Sequence, residues 1–229
     1  MDERERFTRI MQFEKVDRVP NYELPAWGRT VARWRDEGLP AGVDWTEKFE
    51  TLNILRMADL PDLDMIPLFE EEVIEETDEY VVYINKDGIT LKDLKAEAGY
   101  IMPQWLEYPV KNRQDFIELK QRYDAGTPER YPSPEWENRV EAWKERDYQL
   151  RPSGEYGAYY TLRQWMGTEN LSLAFYDQPL LIHEMIEFLT DFLINVLKKA
   201  VEEVDFDHFY FMEDMTYKGA PLVSPKQFR

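Results

Sequence analysis

The stretch DQPLLIHEMIEFLTDFLINVLKKAVEEV, residues 177–204, constrains the fold more than any other part of the chain. Its apolar side chains recur at helical spacing and cover well over half the circumference, so the helix must pack against a sheet or other helices. Helical and extended stretches alternate in front of it. ERERFTRIMQF sets Phe7, Ile10 and Met11 on one helical face, and VDRVPNYEL follows as a short extended segment carrying a proline. AWGRTVARWRDEG reads as a helix ended by Gly38, and Asp44 with Glu47 forms a capping box that opens a helix through WTEKFETLNILRM. LDMIPLF then reads as a second strand.

Asp87-Gly88 between β-rich arms in EYVVYINKDGITLKDLK predicts a hairpin near residues 79–95, an excursion from the main sheet. Residues 110–148 are charged and carry two helical pieces, NRQDFIELKQRYD and SPEWENRVEAWKERD. YQLRPSGEYGAYY returns to strand, and FDHFYFM is a last strand after the long helix. Strands separated by helices imply βα units and a parallel sheet. Core strands are expected near 19–24, 63–68, 150–158 and 207–213, about four in all, which is half of an eight-stranded barrel. Ser224-Pro225 with Gln227 announces another helix, of which SPKQFR is roughly one turn. The expectation is a single α/β domain over 1–229, the N-terminal part of a (β/α)8 barrel cut at the start of a helix. Exposed strand edges would then make the chain poorly soluble or oligomeric, with a homodimer one form of it.

Composition narrows the partners. Lys plus Arg number 28 against 46 Asp plus Glu, a net charge of −18 that repels a phosphate backbone, so nucleic acid is not expected. The chain has no cysteine, which excludes thiolate metal sites within it and fits a reducing, cytoplasmic setting. No apolar run approaches the length of a membrane span.

Strand ends are where parallel α/β folds gather ligand groups, and four stretches qualify. Trp27-Gly28-Arg29 offers an aromatic ring and a guanidinium able to grip a carboxylate, although spacing alone fits an exposed helix-start arginine equally. Asp64 is a carboxylate inside an apolar run, either functional or facing solvent at a strand end. SGEYGAYYTLRQWMG brings Tyr156, Tyr159, Tyr160 and Trp165 beside two glycines, as a ligand surface or as core. In MEDMTYKG, Glu213 and Asp214 point opposite ways on a strand; one faces a cavity, or one caps a loop while the other is solvated. His183 and His208 make no metal spacing with these acids, and no metal site is expected in this stretch.

FEKVDRVPNYELPAWGR, GEYGAYYTLRQWM and FYFMEDMTYKGAPLVSPKQF together resemble the uroporphyrinogen decarboxylase family, a (β/α)8-barrel group that includes methylcobamide:coenzyme M methyltransferases. The middle motif is similar to the family's G-F-x-G-x-P-W-T-L-x-x-Y-M. The resemblance covers nearly the whole chain as the N-terminal part of the barrel. It implies a carboxy-lyase that acts without metal or organic cofactor on a tetrapyrrole, using a carboxylate to stabilise a cationic ring and arginines to hold acidic side chains. Carried over, Arg29 falls on the second family arginine and Pro25 on the first. Asp64 matches the central aspartate, Trp165 the active-site tyrosine, and Glu213 and Asp214 an acid followed by a hydroxyl residue. An added carboxylate in a site for a polyanion argues for a diverged substrate. Zinc-dependent methyl transfer between a corrinoid and a thiol is the alternative, its His and Cys ligands lying beyond Arg229. Binding of a tetrapyrrole or aromatic ligand without turnover, or an inactive fragment, is the third.

Overall fold

The computed structural model describes residues 1–24, 26–53, 57–95, 102–154 and 157–228. The fold is mixed α/β. Helix α1 (Glu3–Met11) is capped by Asp2, whose carboxylate accepts from the Glu5 N–H. Strand β1 (Tyr22–Glu23) leads to α2 (Gly28–Asp36) and the single turn α3 (Trp45–Lys48). Strand β2 (Leu52–Asn53) pairs with β1 in parallel. The parallel frame continues through a bridge from Met57 to Arg151, where the Ala58 N–H donates to the Arg151 carbonyl at 2.9 Å. It reaches the last apolar stretch where the Asp207 N–H donates to the Leu150 carbonyl, also at 2.9 Å.

Three expectations about these strands change. The second parallel strand, Leu52–Asn53, lies inside the stretch read as a helix from Asp44 onward, and Met57 beyond it makes an isolated parallel bridge. Asp44 does cap that helix through the Thr46 N–H, but only a turn forms before Glu50 takes a positive φ of 49° and the chain extends. Residues 63–68 hold no strand: Leu63 and Met65 are buried in the alternation a strand would show, between Pro61 and Pro67, which lack ladder donors. Among the described residues neither 150–158 nor 207–213 forms a regular strand, since Arg151 makes a lone bridge and Ala158 already begins a helix.

The excursion is larger than the hairpin read from sequence. Strands β3 (Glu72–Glu76), β4 (Tyr80–Ile84), β5 (Thr90–Leu94) and β6 (Gln104–Glu107) form an antiparallel meander in chain order. The β4–β5 turn is built by Asn85, whose side-chain oxygen accepts from the Asp87 and Ile89 N–H groups at 3.0 and 2.9 Å. Gly88 has φ +75°, and a Cβ there would meet the Phe69 ring at 2.9 Å, so only glycine lets the turn seat against Phe69.

Helices α4 (Arg113–Leu119), α5 (Glu135–Lys144), α6 (Ala158–Met166), α7 (Thr168–Asp177) and α8 (Pro179–Glu203) supply the core. The long helix α8 buries Leu181, Met185, Leu189, Phe192, Val196 and Ala200, one stripe at three- and four-residue steps. Against its N-terminal half sits an aromatic cluster of Phe116, Tyr123 and Trp165; against its C-terminal half sit Trp136, Trp143 and Leu150. A short hairpin, β7 (Thr216–Tyr217) with β8 (Ala220–Pro221), precedes α9 (Pro225–Phe228). Ser224 and Gln227 form the expected capping box at its start, each accepting from the other's backbone N–H at 3.3 Å. Among the described residues no helix is long and apolar enough to cross a membrane.

Candidate functional site

The parallel-paired segments run out at Met57 and Arg151, and just beyond both lies a cavity of about 320 Å3. Its lining comes from four directions. Asp64 and Met65 come from the 61–69 loop, Lys86 and Asp87 from the β4–β5 turn, Tyr123 from beyond α4, and Tyr160, Thr161, Gln164 and Trp165 from α6. The α6 residues fall at i, i+1, i+4 and i+5, one face of a helix. Thus Asp64, Tyr160 and Trp165, singled out separately in the sequence, share one wall.

Two arginines hold the loop that carries Asp64, one of them buried. The Arg130 guanidinium, fully buried over the Phe192 ring, donates to the carbonyls of Asp62 and Asp64 at 2.8 and 2.9 Å. Arg122 donates to the Pro67 and Leu68 carbonyls at 2.8 and 3.0 Å, and its guanidinium lies 4.0 Å from the centre of the Phe69 ring. The turn docks on that loop through the Phe69 N–H, which donates to the Lys86 carbonyl at 2.9 Å. The Asp64 carboxylate sits at the cavity mouth, 3.4 Å from the Lys86 ammonium; both are exposed, and such a pair contributes about 0–1 kcal/mol.

Asp87 sits half-buried in the turn. Burial pushes its carboxyl above the usual carboxylate range, and neighbouring Asp64 and Glu71 add to this against the opposing charge of Lys86. Trp165 is buried, and its indole N–H donates to the Tyr123 hydroxyl at 3.2 Å rather than to the cavity. Burial raises that Tyr123 hydroxyl to about 12 despite the Trp165 bond, so it stays protonated. Thr161 is buried, and among the described residues its Oγ1 has no hydrogen-bond partner.

Glu213 and Asp214 act on α6 from outside the cavity. The Glu213 carboxylate accepts from the N–H groups of Ala158, Tyr159 and Tyr160 at 3.0, 2.8 and 3.3 Å, capping the helix. Asp214 accepts from Arg163 at 2.7 Å. Glu213 thus caps a helix rather than the loop expected, and an ion pair takes up Asp214. Trp27, just before α2, and Arg29, in its first turn, are exposed and are not among the cavity-lining residues. Pro25 and Tyr156 lie outside the described residues. His183 is exposed on α8, whereas burial lowers the pKa of His208, which packs against Phe7. Among the described residues no group of three or more His, Cys, Asp or Glu is placed to hold a metal ion.

Sequence reasoning passed over Lys86, Asp87, Tyr123, Thr161, Gln164 and Arg130. Asp87 was noticed only as a turn former. Thr161 and Gln164 follow from Tyr160 and Trp165 once AYY, which the sequence presents as the end of a strand, continues through TLRQW as one helix. Comparison of the chain with family models, with curated proteins and with solved structures found no match.

Proposed function

We propose that this chain is a uroporphyrinogen decarboxylase-like protein, a carboxy-lyase acting in the cavity between α6 and the β4–β5 turn. The supporting observation is the convergence of Asp64, Tyr160 and Trp165, from well-separated stretches, just past the parallel-paired segments. That is the end at which parallel α/β folds place their chemistry. Asp87, with its raised proton affinity, is suited to deliver a proton to a ring carbon. Asp64 at the mouth stabilises the cationic ring that results. The carbon–carboxylate bond then breaks, its electron pair returns to the ring, and carbon dioxide leaves.

The substrate is smaller than a tetrapyrrole. A cavity of about 150 Å3 holds benzene, roughly 25 Å3 per heavy atom. By that measure the cavity of about 320 Å3 takes on the order of a dozen heavy atoms, one or two rings. Carbon dioxide release from pyrrole-2-carboxylate and related single-ring heteroaromatic acids is the test, with uroporphyrinogen in parallel. Release from the small acids, abolished by Asp87→Asn, is expected; release from none of them refutes the reading.

A further inference from the structure

The charges around the cavity define what it can hold. Its charged lining residues are Asp64, Lys86 and Asp87, and no arginine is among them. Lys86 and Asp64 face each other at 3.4 Å and offset one another, which leaves the charge of Asp87 as the balance. Flat walls come from Tyr160 and Trp165. Thr161 contributes to the α6 wall with its hydroxyl buried out of reach of the cavity. Gln164 adds one amide.

We infer that the cavity selects a small flat cation, a one- or two-ring ligand that lies against Tyr160 and Trp165 with its protonated nitrogen paired to Asp87, and that it rejects anions of the same shape. This inference rests on the proposed enzyme reading and sharpens it. On giving up its proton Asp87 becomes the carboxylate that pairs with the protonated ring formed on the way to product, which is the difference that lowers a barrier. An anionic ligand would have to displace Asp64 from Lys86 and would still face Asp87.

Benzamidine and benzoate make an isosteric pair of opposite charge that probes this in the full 229-residue chain. Binding is followed by ligand-observed NMR and by the amide shifts of Lys86–Gly88 and Tyr160–Trp165. Benzamidine is expected to bind at least about tenfold more tightly than benzoate, a difference of about 1.4 kcal/mol. It should move those amides and lose about tenfold in Asp87→Asn. Because the whole chain is acidic, Asp78→Asn, a charge removed from a solvent-exposed turn, serves as the control and should change nothing.

Equal binding of the two probes, preference for benzoate, binding of neither, or equal losses in Asp87→Asn and Asp78→Asn would each overturn the inference. The wild-type ranking does not depend on any variant folding. Selective benzamidine binding without carbon dioxide release from any acid would uphold the ligand class and sink the enzyme reading. Carbon dioxide release together with benzoate preference would do the reverse.

Discussion

Asp207→Asn exchanges one oxygen for one nitrogen at the point where the chain's first helix, the end of α5 and the parallel frame meet. The Asp207 carboxylate accepts from Arg4 Nε at 2.7 Å, Arg146 Nη2 at 2.9 Å and the Leu150 N–H at 2.9 Å. Its side chain is 7% exposed, and that of Arg146 is 2% exposed. Burial pushes the carboxyl up, but the bonds from Arg4, Arg146 and Leu150 outweigh it and hold the group below its ordinary value. Breaking a buried ion pair from one side costs about 3–5 kcal/mol. The lower end applies, because Arg146 keeps the Trp143 and Asp205 carbonyls and Arg4 keeps the Asp205 carboxylate. With an m-value of about 3 kcal/mol/M, a loss of about 3 kcal/mol lowers the urea midpoint by about 1 M.

The pH dependence has a fixed sign. A carboxyl with a depressed native pKa stabilises the fold above its unfolded value near 3.9, and that contribution drains away as the pH falls through the native pKa. The gap between wild type and Asp207→Asn should therefore be full at pH 7 and shrink below about pH 4. A loss under about 1 kcal/mol, or a gap unchanged between pH 7 and pH 3, would refute the idea that this carboxylate holds the three segments together.

Glu213→Gln should destabilise the chain by about 1 kcal/mol and raise amide exchange at Ala158, Tyr159 and Tyr160, the three N–H groups its carboxylate caps. Gly157→Ala should cost about 3 kcal/mol or more by thermal melting, because the added Cβ would lie 1.9 Å from the Met212 carbonyl oxygen, a backbone atom that cannot step aside. Trp165→Phe removes the donor to Tyr123 and part of a buried ring; a loss of about 2 kcal/mol is expected in urea, whereas no loss would place Trp165 outside the core.

Local signals survived into the structure where their partners are close in sequence. The Asn85 turn needs only the residues up to Ile89, and the Ser224–Gln227 box closes on itself. The apolar spacing of α8 likewise needs no knowledge of what covers it. Elements whose conformation is decided from far away were misread. Helix α6 begins at Ala158 under a cap supplied 55 residues later, so its tyrosines advertised a strand until Glu213 was in place. Residues 52–53 extend because β1 pairs with them, against a capping box that locally favours helix. The site shared this fate: Asp64 could be picked out as a carboxylate in an apolar run, but its placement depends on Arg130, 66 residues away. Asp87 became a candidate acid only once its turn was seen to close over α6.

That turn divides the labour of the cavity unevenly. The α6 wall is also the protein's core, since Trp165 belongs to both, and any change there is felt as lost stability. The Asn85–Gly88 turn is stitched to itself and touches the rest through Phe69 and the Lys86–Asp64 pair. Its Lys86 and Asp87 positions are thus open to rewriting while the scaffold stands unchanged. Divergence could alter what the cavity prefers by editing two letters in one turn, and a laboratory library confined to residues 86 and 87 would explore the same range.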